Sequence, residues 1–117
     1  MTKFMTKFEK AVFAWIRTNY DDPSLRTQLQ MARIRSRDHT GAGCYCELAL
    51  SGGVPPTNAD YGKRGPLDGP GFKSPVLEHG GGTLLWFESG YATTLEVFTF
   101  CDDFPENHDD LGDFELL

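Results

Sequence analysis

The second part of the chain lacks positively charged side chains. All eleven lysines and arginines lie at or before Lys73, against seven acidic residues there, so this part has a formal charge of +4. From Ser74 to Leu117 there are ten acidic residues and no lysine or arginine, which gives −10. This asymmetry predicts that the two halves lie against each other, that molecules pair head to tail, or that the acidic half meets a basic partner. We favour the first interpretation.

The chain also lacks a long apolar run and has little cysteine. No segment approaches the roughly 18 apolar residues that a membrane helix needs. The first ten residues, MTKFMTKFEK, carry charge where a secretion signal has its apolar stretch. Three cysteines, Cys44, Cys46 and Cys101, fit no disulfide framework. We therefore expect a cytoplasmic protein with reduced thiols and no contact with a membrane.

The length of 117 residues suits one domain with a single hydrophobic core. We expect residues 1–117 to form this domain. Its parts are a helical segment at 1–31, a sheet at 32–100 that includes a long loop at 51–72, and an acidic tail at 101–117.

The strongest local signal is the stretch TLLWFESGYATTLEVFTF at residues 83–100, in which Ser89 and Gly90 join two apolar runs. A two-residue link that ends in glycine predicts a tight β-hairpin. Simple alternation from this turn pairs Leu84 with Leu95 and makes both faces apolar, so we expect the hairpin to be covered on both faces. The pattern places Leu84, Trp86, Leu95 and Val97 on one face and Leu85, Phe87, Phe98 and Phe100 on the other.

The N-terminal segment has the sequence signals of two helices. Thr6 is followed three residues later by Glu9, which is a capping-box pattern, and apolar residues then recur at helical spacing to about residue 19. Asp22 and Pro23 are typical of the start of a second helix. We predict an α+β fold in which two N-terminal helices pack on an antiparallel sheet of four or five strands.

Two further stretches alternate as strands do. Arg33, Arg35 and Arg37 are predicted to share one solvent-exposed face, and a half-buried strand follows at residues 44–50. Glycine and proline crowd residues 51–72, where we expect no regular element.

Outside the hairpin, the last part of the chain is predicted to contain one short strand and otherwise irregular structure. This strand is expected at residues 76–79, and the glycines at 80–82 would act as a hinge before the hairpin. The tail after residue 100 is expected to fold its aromatic side chains onto the body of the protein.

Several of these stretches together resemble a family of small, uncharacterised bacterial proteins. The matching pieces follow an N-terminal helical segment: TGAG at residues 40–43, HGG at 79–81, LEVFTF at 95–100 and DDFP at 102–105. This resemblance covers the larger part of the chain and implies an architecture but no activity. The order of the elements is also similar to that of Sm-like and SH3-like barrels, so a partly open Sm-like barrel is an alternative for the sheet.

Glu96 is the residue whose position most needs an explanation, because it interrupts an apolar strand. A carboxylate there must reach solvent, pair with a cation or be protonated. One interpretation pairs Glu96 with Arg33, Arg35 or Arg37. The other places Glu96 in a ligand pocket with His79, over which residues 51–72 would close as a lid.

Metal and nucleic-acid binding have weaker sequence support. Cys44 and Cys46 point the same way and could bind zinc with Cys101 or His79, but a CxC pair lacks the spacing of structural zinc sites, so we favour buried inert thiols. The glycine-rich segments match no nucleotide-binding motif. The arginine row could touch phosphates, although the acidic half would repel a nucleic acid. We therefore predict no metal, no cofactor and no catalytic residue.

The function that this pattern favours is a non-catalytic domain that binds a protein partner or a second copy of itself. Two alternatives stay open. One is a small enzyme or ligand-binding domain that uses Glu96 and His79, and the other is an Sm-like RNA-binding variant.

Overall fold

A computed structural model describes residues 3–57 and 65–117 of the chain. It is an α+β fold with two helices and an open, antiparallel sheet of seven strands. The elements are α1 (Lys7–Asn19), α2 (Pro23–Met31), β1 (Arg33–His39), β2 (Gly43–Ala49), β3 (Leu67–Asp68), β4 (Phe72–Ser74), β5 (Leu77–Glu88), β6 (Tyr91–Thr99), a 3-10 helix η1 (His108–Leu111) and β7 (Glu115–Leu116).

The strands follow the order β1-β2-β6-β5-β4-β7, and β3 pairs with β5 beside this path. The predicted fold class is confirmed. The sheet has more strands than the four or five predicted, and it does not close into a barrel. Of the described helices, none is long and apolar enough to cross a membrane.

Both helices start where the sequence predicts. Thr6 caps α1 in a reciprocal capping box with Glu9, and Asp22 caps α2, which has Pro23 in its first turn. One stripe of α1 is fully buried in the core, as helical spacing indicates. The buried apolar residues of this stripe are Phe8, Val12, Phe13 and Ile16.

The hairpin forms at the predicted turn, where Ser89 and Gly90 have φ angles of 52° and 85°. Glu88 pairs with Tyr91, as counting from the turn requires. Thr93 then lies outside the pairing, because Phe87 pairs with Ala92 while Trp86 pairs with Thr94. Because of this β-bulge, each residue of β6 beyond Thr93 lies on the opposite face of the hairpin from the one that simple alternation predicts.

The predicted faces of the hairpin are therefore wrong. Leu85 pairs with Leu95 and Thr83 pairs with Val97, and all four side chains point into the core. The opposite face of the hairpin includes Trp86, which is 39% exposed. Within residues 3–57 and 65–117, the core lies on one face of the hairpin and both helices contribute buried residues to it, so the expectation that both faces are covered is wrong for this part of the chain.

A second bulge changes the arginine row. The pairing of β1 with β2 shifts between Ile34 and Ser36, so Arg37 comes to share the core side with Ile34. Arg33 and Arg35 are exposed, whereas the side chain of Arg37 is only 15% exposed. The prediction of three arginines on one solvent face is therefore wrong.

The glycines at 80–82 lie inside the long strand β5 and are not a hinge. A Cβ atom on Gly81 would lie 2.1 Å from the carbonyl oxygen of Phe98 and 2.7 Å from the ring of Phe72. Glycine is needed here because the backbone of β5 passes close to its neighbours.

The glycine- and proline-rich loop is more regular than predicted. Strand β3 lies inside residues 51–72 and β4 begins at the end of this range, while residues 58–64 lie outside the described part. The acidic tail folds onto the body, as predicted. Phe104 and Leu111 are buried in the core, and β7 adds a strand beside β4.

Candidate functional site

One side of the sheet presents aromatic and acidic side chains to solvent, and we call it the outer face. The strand pairing places seven central residues on it, opposite the side that carries the core. Two of its aromatic residues, Tyr45 and Trp86, are each 39% exposed, and Phe100, directly after β6, is 51% exposed. The central residues of the outer face are Tyr45, Glu47, Leu84, Trp86, Thr94, Glu96 and Phe98.

Glu96 lies at the centre of the outer face, half-buried between Tyr45 on β2 and Leu84 on β5. Its Oε1 accepts a hydrogen bond of 2.9 Å from Nε1 of Trp86. The described residues do not show the predicted pairing of Glu96 with an arginine of β1. The partner of the Glu96 carboxylate is instead the indole of Trp86. The bond fixes the indole ring beside a carboxylate.

A second carboxylate, Glu47, is held in the same way. Its Oε2 accepts a hydrogen bond of 3.1 Å from the hydroxyl of Thr94, directly across the strand pair. Glu47 and Trp86 both line a depression of about 440 Å³ together with Tyr45 and Glu88. The outer face thus combines a shallow apolar floor with carboxylates at fixed positions.

Further acids flank this centre. Asp38 pairs with Tyr45, and Asp68 pairs with Leu84, so both lie on the outer side of the sheet. Arg33 and Lys73 are on this side at the two ends, beside Ala49 and Glu115 respectively. Among the described residues, the centre of the outer face is therefore acidic, and Arg33 and Lys73 lie at its periphery.

His79, the other residue predicted to join a site, lies apart from this centre. Its backbone N–H donates to Oδ2 of Asp102 at 3.0 Å, and its ring Nδ1 is 3.7 Å from the same oxygen. The side chain of His79 is 55% exposed. Glu96 and His79 thus bond to different partners, Trp86 and Asp102.

The predicted site residue Arg37 instead closes a buried ion pair with Glu9 of α1. Its Nε and Nη2 donate to the two carboxylate oxygens of Glu9, each at 2.7 Å. Glu9 is fully buried. Burial raises the pKa of Glu9, but the hydrogen bonds from Arg37, Thr6 and Cys46 outweigh it, and the pKa lies below its ordinary value.

A second cluster, which the sequence did not predict, lies beside this ion pair. His39, Cys44 and His108 come from β1, β2 and η1, and each offers one ligand atom within 4.8 Å of the other two. Cys46 lies next to them, with its Sγ 3.7 Å from Sγ of Cys44. The cysteine alternation was visible in the sequence, but nothing in the spacing placed the distant His108 beside it.

The two thiols are unequal. The hydrogen bond from Cys46 and the nearby rings of His108 and His39 outweigh burial and lower the pKa of Cys44 to about 5. The pKa of Cys46 is raised, first by its hydrogen bond to Cys44, then by burial and by the neighbouring Glu9. Cys44 is therefore the more acidic of the two thiols.

Comparison of the chain with models of protein families, with curated proteins and with solved structures finds no match. The resemblance to a family of small bacterial proteins therefore stays a prediction, and the function has to be argued from the geometry of the chain itself.

Proposed function

We propose that this chain is a non-catalytic, cytoplasmic protein-interaction domain whose outer face binds a basic segment of a partner protein. The observation that carries the proposal is the pairing of exposed aromatic rings with fixed carboxylates at the centre of the sheet. Trp86 is 39% exposed, and its indole is bonded to Glu96. Exposed aromatic surface that is rimmed by polar groups is typical of interaction sites.

The side chains of the outer face suit arginine or lysine. A cation over the ring of Trp86 or Tyr45 gains from the ring quadrupole, and an adjacent carboxylate can pair with it at the same time. Glu47 and Glu96 lie on neighbouring strands, so two cations of an extended segment can be bound together. The aliphatic stem of each cation would cover the apolar floor.

Charge complementarity favours a basic partner over a second copy placed face to face. Two-fold pairing of outer faces would bring Glu47 and Glu96 of one copy towards those of the other, and like charges oppose such pairing. Among the described residues, both arginine–carboxylate ion pairs, Arg37 with Glu9 and Arg26 with Asp21, lie within the first half of the chain. Neither of these pairs uses an acid of the outer face.

The two alternative functions have less support. An enzyme that uses Glu96 and His79 would need them in one cleft, whereas each has its own partner at a separate place. An RNA-binding surface would need cations at its centre, and the centre of the outer face is acidic.

A peptide array tests the proposal. The folded chain is labelled and applied to immobilised extended peptides of equal length, in which arginine and lysine content and apolar spacing vary independently. We expect retention to rise with basic content, to be greatest with apolar residues between the cations, and to fall with added salt.

Matched variants localise the binding. Trp86→Ala and Glu96→Gln should each weaken binding by about tenfold or more, the scale of an interface hot spot. The control is Val76→Ser, because Val76 is 58% exposed but lies in the turn before β5. Equal retention of acidic and basic peptides, or equal loss with Val76→Ser, would contradict the proposal. Salt-sensitive dimerisation through Trp86 would favour a second copy as the occupant instead.

A further inference from the structure

The buried cluster on the core side of the sheet has the composition of a metal site. Cys44 and His108 are 1% and 3% exposed, and His39 lies partly buried beside them. His108 is far from His39 and Cys44 in the sequence, yet the ligand atoms of all three residues lie within 4.8 Å of one another. Thiolate and imidazole are ligands that zinc and related transition metals prefer, whereas magnesium and calcium prefer oxygen.

The distances fit a tetrahedral ion. Two thiolates bound at about 2.3 Å in a tetrahedral site lie about 3.8 Å apart, and Sγ of Cys44 is 3.7 Å from Sγ of Cys46. A thiolate and an imidazole on the same ion lie about 3.6 Å apart, and Nε2 of His39 is 4.0 Å from Sγ of Cys44. Cys46 lies outside the group of three whose ligand atoms are all within 4.8 Å of one another, so its side chain has to rotate towards them to bind the same ion.

Two ring nitrogens of the cluster have unmet hydrogen-bonding capacity. Nδ1 of His39 and Nε2 of His108 are buried and have no hydrogen-bond partner within residues 3–57 and 65–117. A buried polar atom without a partner is costly and calls for an explanation. An ion bound by Nε2 of His108 would give that nitrogen the partner it lacks, whereas His39 would bind the ion through Nε2, its nitrogen near Sγ of Cys44.

The other nitrogen of His108 is already oriented. Nδ1 is 3.0 Å from the hydroxyl of Thr6 and 3.6 Å from Oε2 of Glu9. Arg37 holds that carboxylate in place from the other side. Histidines that bind metals commonly donate their second N–H to a carboxylate or hydroxyl group in this way, which fixes the ring and its tautomer.

We propose that His39, Cys44, Cys46 and His108 bind one zinc-class divalent ion in a closed, structural site that ties η1 to strands β1 and β2. Two thiolates balance the charge of the ion, so the buried site is neutral overall. Cys46 turns from Oε2 of Glu9, which is 3.2 Å away, and releases its proton to solvent as it binds.

The test uses the full chain, reduced, freed of metal with a chelator, and titrated with Co²⁺ and then Zn²⁺. We expect one equivalent of Co²⁺ to give the visible absorption of a four-coordinate ion with thiolate charge transfer, and Zn²⁺ to remove it. The midpoint of thermal unfolding of the wild-type chain should rise with added Zn²⁺ and fall again with chelator.

Variants assign the ligands. Cys44→Ser and His108→Gln should lower the affinity by more than the roughly 10- to 100-fold that loss of an orienting partner costs, and Cys46→Ser should weaken the charge-transfer absorption. Cys101→Ser and His79→Gln are the controls and should bind as the wild type does, because both residues are exposed and lie outside the cluster. Circular dichroism of each metal-free variant checks that it folds.

Three results would overturn the proposal. The first is a reduced wild-type chain that takes up no ion and shows no change in its unfolding midpoint. The second is a spectrum of six-coordinate Co²⁺ that Cys44→Ser leaves unchanged. The third is a Cys44–Cys46 disulfide in the purified chain, seen as the loss of two hydrogens in its mass, without metal uptake after reduction.

Discussion

The two faces of the central hairpin are built from the same two strands, yet they differ in what holds their side chains. On the core face Leu85 and Leu95 are fully buried and are fixed by packing. On the outer face Trp86 is 39% exposed and is fixed by its hydrogen bond to Glu96. Apolar residues on both sides of a strand therefore do not require a layer on both sides, because a polar partner can hold an exposed ring.

The largest loss of stability is expected when the buried ion pair between Arg37 and Glu9 on the core face is broken. Arg37→Met leaves the fully buried Glu9 without its cation, and removal of one partner from a buried ion pair costs about 3–5 kcal/mol of unfolding free energy. The matched change Arg35→Met alters an exposed arginine of the same strand and should stay within about 0.5 kcal/mol. Urea denaturation at neutral pH measures both. Equal costs for the two variants would contradict the assignment of Arg37 to the core.

The next effect compares two leucines on opposite faces. Leu95→Ala leaves a cavity in the core and should cost about 3 kcal/mol. Leu84→Ala removes a half-buried side chain from the outer face and should cost about 1 kcal/mol or less. The midpoints of urea denaturation check the difference. A larger loss of stability for Leu84→Ala than for Leu95→Ala would contradict the observed faces of the hairpin.

These leucines show how far the sequence could predict the fold. The helix caps at Thr6 and Asp22 and the turn at Ser89 and Gly90 depend on neighbouring residues, and all were predicted correctly. The bulge at Thr93 depends on the fit of β6 between β2 and β5. No local signal marks it, so every side chain beyond it was assigned to the wrong face.

The candidate sites were harder to predict for the same reason. The sequence marks Glu96 as unusual, but its pairing with Trp86 depends on the shifted register. Arg37 was placed with two exposed arginines because the bulge in β1 has no sequence signature. The histidine and cysteine cluster joins residues as far apart as His39 and His108, and such contacts exist only in the folded chain.

A smaller effect should follow a change on the outer face itself. Trp86→Ala should lower the unfolding free energy by only about 1 kcal/mol, because the ring is exposed and adds little to the core. Binding of basic peptides should nevertheless be lost. Thermal unfolding and peptide retention, measured on the same preparation, separate the two effects. A loss of stability as large as that of Leu95→Ala would mean that the outer face is part of the core.

The smallest effect concerns Tyr20, whose hydroxyl donates to the carbonyl of Asp68 at 2.7 Å and so joins the helical corner to β3. Burial and the charge of Asp68 raise the pKa of Tyr20 above its ordinary value of 10.0. The stability that this raised pKa represents is complete below pH of about 10 and is lost as the pH rises through the folded-state pKa. Above a pH of about 10, the unfolding free energy of the wild type should therefore fall more steeply with pH than that of Tyr20→Phe. Below that pH the two curves should be parallel.

The central claim is that the outer face is open in the lone chain and becomes covered by a basic partner. Acrylamide quenching of Trp86 fluorescence, in a Trp15→Phe background that leaves one tryptophan, tests it most directly. The claim predicts ready quenching in the free chain and protection, with a blue shift of the emission, when a peptide of alternating arginine and leucine is added. An indole that is already shielded in the free monomer, or one that stays equally accessible at saturating peptide, would contradict it.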